Sequence, residues 1–144
     1  MEFKTFLLEL KDDIQLVCIT VTNFPKGIAE EFTKLEREFP ETASAGYYGI
    51  SWMAAEGQIV YKASAVMPEH YSGNTYEKYI LKKGTYLSVS IENWMQKISQ
   101  ITDAFTFLMK TKQFRDGCHC IEWYKSDELV YCMFRLPDDE MIKL

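Results

Sequence analysis

Apolar residues in this chain follow two rhythms, every second residue and every third or fourth, and their succession divides the sequence into elements. Residues 14–22, Ile-Gln-Leu-Val-Cys-Ile-Thr-Val-Thr, are β-branched and apolar on both parities, as in a strand covered on both faces. Ile28, Phe32, Leu35 and Phe39 then fall at helical spacing. Pro25 suits the entry to that helix, and Pro40 lacks the amide a further turn would need, so the helix is expected over about 27–39. Residues 47–53 and 58–67 read as strands around the turn Ala54-Ala55-Glu56-Gly57, and a short strand is expected over 76–81.

The order then repeats. Residues 85–90 alternate as a strand, and Trp94, Ile98, Ile101, Phe105 and Leu108 lie along one face of a helix, with Ser90 or Asn93 as its candidate cap. After Arg115-Asp116-Gly117, residues 118–124 and 129–136 form a second hairpin, joined by Lys125-Ser126-Asp127-Glu128. Ile50-Ser51-Trp52 matches Ile121-Glu122-Trp123, Ile59-Val60-Tyr61 matches Leu129-Val130-Tyr131, Pro68 matches Pro137, and Val17-Cys18-Ile19 matches Leu87-Ser88-Val89. The common offset of about 70 residues predicts a duplication, with 14–67 and 84–136 as copies of one strand-helix-strand-strand unit in a single domain spanning 1–144. The expected fold is α+β: antiparallel sheets from the two units around a central pocket, with a helix on each outer face.

Composition narrows the function. The 144 residues are 47% hydrophobic and 26% charged, which excludes a disordered, collagen-like or wholly membrane-embedded chain. A net charge of -5 argues against direct nucleic-acid binding, which requires a basic surface for the phosphates. Glu9 interrupts the run Phe6-Leu7-Leu8 before it could serve as a signal-peptide core, and no stretch has the apolar length of a spanning helix. The expectation is a cytoplasmic protein without a membrane partner. Cys18, Cys118, Cys120 and Cys132 are too few and too unevenly spread for a disulfide framework and read as reduced thiols.

Aromatic residues reach 15%, and strand parity indicates where they meet polar chemistry. Ile121 and Trp123 share the more apolar face of their strand and are expected to pack on the long helix. Glu122 and Tyr124 then point the other way, with Cys118 and Cys120. By the repeat, Tyr47, Gly49, Ser51 and Met53 share that face in the first unit, and Tyr86, Ser88 and Ser90 in the first strand of the second. This parity surrounds one carboxylate with phenols and hydroxyls; without those neighbours Glu122 would read as an ordinary residue on a solvated strand face. Cys118-His119-Cys120 invites a metal, yet alternation turns His119 away from the thiols and a structural zinc needs four converging ligands. Neither His70 nor His119 is read as a haem ligand, and no metal or cofactor is expected. Phosphate loops, nucleophile elbows and zinc-protease helices are missing from the sequence.

These residues resemble the GyrI-like family, the bacterial transcription-activator effector-binding domains. The resemblance extends over about 16–138 and rests on Phe24-Pro25-Lys26-Gly27-Ile28, Tyr48-Gly49-Ile50, Lys83-Gly84-Thr85-Tyr86, and Ile121-Glu122-Trp123-Tyr124 with a strand ending in Leu136-Pro137. It implies that the Glu of a Glu-x-Tyr motif, here Glu122 with Tyr124 beside it, lies in the pocket between the halves and pairs with cationic, planar aromatic ligands. The Gly-Thr-Tyr tyrosine carries over as Tyr86. Two departures stand out. Many relatives begin with a DNA-binding helix-turn-helix, for which this chain has no room, and Ser90-Ile91-Glu92-Asn93 stands where many have a Gly-containing turn.

The expectation is therefore a stand-alone bacterial domain that binds a small amphipathic or cationic organic molecule as a sensor or sequestering protein, in the manner of multidrug-recognising transcription regulators. Glu122 would be the counter-charge, and Tyr86, Tyr124, Tyr47, Ser51 and Tyr131 the walls, each aromatic ring adding about 0.5–2 kcal/mol of cation attraction. One alternative is a hydrolase of cyclopropane-bearing electrophiles with Glu122 as its catalytic acid or base, since a carboxyl among aromatic rings has a raised pKa. Another is a protein-interaction module whose partner is a regulator or topoisomerase.

Overall fold

The computed structural model describes residues 3–137. Eight strands, β1 (Thr5–Leu10), β2 (Ile14–Thr20), β3 (Tyr47–Met53), β4 (Ile59–Val66), β5 (Glu77–Leu81), β6 (Gly84–Glu92), β7 (Cys120–Tyr124) and β8 (Leu129–Arg135), form one curled antiparallel sheet in the order β1-β6-β8-β7-β3-β4-β2-β5. Two helices, α1 (Ile28–Glu38) and α2 (Ile98–Met109), accompany it, giving the α+β class expected. No helix among the described residues is long and apolar enough to cross a membrane.

The sheet order reads as two equivalent halves. β2-α1-β3-β4 with β5 on its edge corresponds to β6-α2-β7-β8 with β1 on its edge, and the halves join where β3 pairs with β7. Ile50 lies opposite Ile121, so the matching residues of the two units face each other across a pseudo-twofold axis. β1 escaped the sequence reading: its alternation is short and its outward positions carry Leu7, half exposed, instead of a polar residue.

Each helix forms where the periodic apolar residues predicted one. Leu35 of α1 is fully buried, with Ile28 and Phe32 packed beside it against Val17, Tyr61, Ala63 and Ala65. Gly27, at φ 89°, supplies the left-handed residue at the entry, and Glu30 and Glu31 in the first turn complement the helix dipole. Ile101, Ala104, Phe105 and Leu108 of α2 cover Val89, Ile91, Val130, Cys132 and Phe134. The second helix starts later than its apolar stripe implied. Trp94–Gln96 is a separate 3-10 turn, and the α-helix begins at Ile98. Ser90 lies within β6, and Asn93 adopts φ 56° without a side-chain cap bond, so neither residue caps α2.

One part of the expected packing is different. The two units do not form separate sheets with a helix on each outer face; they share one sheet, and both helices lie on the same side of it. Phe32 of α1 meets the edges of both Tyr47 and Tyr124, which face each other across the β3–β7 seam, and Tyr124 also packs with the α2 cluster. The helix-free face is buried by the curl of the sheet itself. Leu16, Cys18, Tyr48, Ile50, Leu81, Tyr86, Ile121 and Met133, drawn from strands across the whole sheet, pack together there. Tyr79, on the edge strand β5, reaches His119 beside β7 with 2.6 Å between the hydroxyl and Nδ1, which fastens the curl. A sheet that curls on itself needs no helix to cover its inner face.

Candidate functional site

The curl decides which way the acidic residue points. Ile121 and Trp123 belong to the helix-free core, not to the packing of α2, so alternation sends Cys120, Glu122 and Tyr124 to the side that carries the helices. Glu122 lies opposite Gly49 on one flank and Cys132 on the other. The Tyr61 hydroxyl donates to its Oε1 at 2.8 Å, and the Tyr124 hydroxyl donates to the same oxygen at 2.6 Å. No donor among the described residues reaches Oε2. Glu122 as a whole is partly buried.

Aromatic rings hold this cluster in place. Phe24 stacks on Tyr61 with centroids 5.2 Å apart. Trp94 leans against Tyr124 at 4.8 Å, and Phe32 approaches its edge at 5.8 Å. Loss of hydration around the carboxylate raises the pKa of Glu122 above the usual 4.5, and the two phenol hydrogen bonds oppose that rise without cancelling it. Burial, followed by the nearby charge of Glu122, pushes Tyr61 and Tyr124 upward, so both remain hydrogen-bond donors. The same two causes, in the same order, push Cys120 up to about 12 and Cys132 higher still. These thiols are protonated and inert as nucleophiles.

Above the cluster, α1 and the turn leading into α2 leave a groove of about 880 Å³ between them. Its walls include Ile28 and Phe32 from α1, Trp94 and Ile98 from the second unit, and Tyr47 and Tyr124 from the sheet. Ile98 and Met95 are more than half exposed at its rim, where Glu36 and Asp127 add negative charge, while the Lys125 ammonium lies over the Trp123 and Tyr131 rings on the helix-free face. Tyr124 belongs to both groove and cluster: its ring forms wall, while its hydroxyl holds Glu122. A polar hollow of about 670 Å³ lies beside the β2–α1 connection, where Lys34 pairs with Glu31 at 3.1 Å. Glu30 and Glu31 line it together with Lys26 and Lys34, and no aromatic residue does.

The residues picked from the sequence divide between the two faces. Glu122, Tyr124, Tyr47 and Ser51 lie on the helix side, where Ser51 faces Cys120 and Tyr61 across its neighbouring strands. Tyr86 does not join them. Glu122 registers with Cys132 and Cys132 with Val89, so Leu87, Val89 and Ile91 lie under α2 while Tyr86 and Ser88 turn into the opposite core. Tyr86 is 2% exposed there and donates its hydroxyl to the Lys82 carbonyl at 2.6 Å. Tyr131 also lies on the far face, packed on Phe6 and Trp123 with Lys125 over its ring.

Sequence reasoning missed Tyr61, Phe24, Phe32 and Trp94. Tyr61 was hidden by a one-residue slip in the repeat. Pairing of Ile50 with Lys62 and of Ile121 with Met133 makes Tyr61 the counterpart of Cys132, not of Tyr131, and an odd shift exchanges the faces of a strand. Strand alternation separates the side chains of the Cys118-His119-Cys120 segment. His119 stacks on Trp52 at 4.4 Å on the helix-free side while Cys120 stays on the other, and no group of three or more ligating residues converges among the described residues.

No family model matches the chain, and no curated protein matches it in sequence. Solved structures share its fold. An integron cassette protein from the mobile metagenome of Vibrio cholerae aligns with a TM-score of 0.60 at 14% identity, over 92% of this chain and 95% of its own. SAV2435, in a structure bound to tetraphenylphosphonium, gives the same TM-score and identity over 97% and 96%. A Staphylococcus aureus protein described as a candidate bacterial transcription-regulation protein reaches 0.58 at 14%, over 94% and 99%.

Proposed function

We propose that this chain is a GyrI-like effector-binding domain that takes a small organic cation with aromatic or apolar bulk into the groove between α1 and α2. In the cell it acts as a cytoplasmic sensor or sequestering protein. One observation carries the reading: a carboxylate with no basic partner among the described residues lies behind Tyr124, a wall residue of an aromatic groove, with one oxygen saturated by two phenols and no protein donor on the other. A group so placed is expensive to keep charged and gains most from a cation that the protein does not itself supply. Ring faces at Tyr124, Phe32 and Trp94 add cation–π attraction and cover the ligand's apolar surface. The bound tetraphenylphosphonium in a protein of the same fold supports this chemical class.

The raised carboxyl also favours a second reading, general acid or base catalysis on a strained electrophile in the same groove. Product detection with such a compound separates turnover from binding. The binding reading is tested by following backbone amide shifts during a tetraphenylphosphonium titration. The expected result is saturable shifts at Tyr47, Tyr124, Phe32 and Trp94 with none at Trp52, Tyr79 or Tyr86. Shifts confined to the helix-free face, or no saturable shifts, would refute it.

A further inference from the structure

Gly49 lies in the interior of β3 with none of the left-handed backbone that usually explains a glycine. Glycine in mid-strand weakens a sheet, because it loses more backbone freedom on folding and offers no side chain to pack. Its presence therefore calls for a spatial reason, and the cluster beside it supplies one. A Cβ at this position would overlap the Tyr61 hydroxyl and come within 2.7 Å of Glu122 Oε1. Neither neighbour has room to withdraw: Tyr61 is 2% exposed under the stacked ring of Phe24, and Tyr124 holds Oε1 from the other side. Across the helix side of the sheet the row runs Ala63, Gly49, Glu122, Cys132, Val89. The residues flanking the acid are small, and the one nearest to it has no side chain.

We propose that Gly49 is a positioning residue for Glu122: its missing side chain is the slot that admits the Tyr61 hydroxyl to Oε1 beside that of Tyr124, which leaves Oε2 free of protein donors and sets the charge of the carboxylate behind the Tyr124 ring of the groove wall. The proposal rests on the reading of Glu122 as the ligand's counter-charge, yet the arrangement it describes exists without ligand and can be measured without one.

The test is Gly49→Ala, with the Glu122 side-chain carboxyl followed by carbon-13 NMR through a pH titration. Because the added methyl breaks phenol hydrogen bonds to the charged form, the midpoint should rise by about one unit or more relative to the wild type. Tetraphenylphosphonium affinity at a pH about one unit below the wild-type midpoint should fall about tenfold or more. A stability cycle with Tyr61→Leu supplies a second measurement. Gly49→Ala should lower the melting temperature in the wild-type background and leave it unchanged or raise it once the Tyr61 ring and hydroxyl are gone. If Gly49→Ala alone does not fold, recovery of the fold in the double variant supports the proposal, and failure of both variants overturns it. An unchanged Glu122 midpoint, or additive melting shifts, also overturns it. Should the wild type bind no cation while the midpoint moves and the cycle is non-additive, the ligand reading fails and the role of Gly49 stands.

Discussion

Glu122→Gln separates the charge of the carboxylate from its shape. Glutamine keeps an oxygen for the Tyr61 and Tyr124 hydroxyls that now meet Oε1 at 2.8 and 2.6 Å, so the cluster and the groove above it should persist. What is lost is one negative charge beneath the groove. Tyr124 stands between the two, its hydroxyl on the acid and its ring in the groove wall, so a bound cation would lie about one ring beyond the carboxylate. At about 8 Å and an effective dielectric constant of about 20, the attraction is about 2 kcal/mol. That corresponds to roughly thirtyfold in Kd. Isothermal titration with tetraphenylphosphonium and with neutral triphenylphosphine oxide, on wild type and variant, reads the difference. The cation should weaken by that factor and the neutral compound by less than about twofold. Equal losses for both ligands would mean that the substitution disturbed the groove and not its field. No loss for the cation would remove Glu122 from the binding site altogether.

The burial of Glu122 leads to two further expectations and the packing of α2 to a third. Glu122 titrates above 4.5 in the folded protein, so affinity for a permanently charged cation should climb with pH, up to about tenfold per unit, until the carboxyl is ionised, and then level; Glu122→Gln should give a flat profile over the same range. The sign for stability is the reverse: the protonated acid favours the fold below 4.5 and that contribution is lost as pH rises through the folded-state value, so denaturation curves should show Glu122→Gln gaining on the wild type across that window. Leu108 is 0% exposed at the centre of the α2 core, and Leu108→Ala should cost about 2–5 kcal/mol in urea denaturation, a loss below about 1 kcal/mol showing that α2 is not held as described.

Local periodicity made most of the elements legible. Residues of β2 are apolar on both parities because α1 covers Val17 while the curled core covers Leu16 and Cys18, and the steps from Ile101 to Leu108 trace the buried stripe of α2. Glu122 and Tyr124 were recognisable as a pair because two positions along a strand always share a face. Which face they share was not legible, since nothing near Ile121 or Trp123 in the chain announces that the sheet will close over them. Tyr61 was beyond local reading for a related reason. Its bond to Glu122 joins strands far apart in sequence, and only the hydrogen-bonded register fixes a partner at that range.

The seam between β3 and β7 also controls the size of what can be held above it. α1 rests chiefly on β4, and α2 on β6 and β8, so the helices ride on different halves of the sheet like the covers of an open book whose spine is the Ile50–Ile121 pair. Neighbouring strands in ordinary sheets differ in twist by about 10° or more. With helix axes about 10 Å above the sheet, a change of that size at the spine would move one cover against the other by about 2 Å, roughly the breadth of a methyl group, and leave the packing beneath each helix intact. Substitutions along two short strands could therefore refit the opening to bulkier or slimmer cations while the acid stays at its place in the fold.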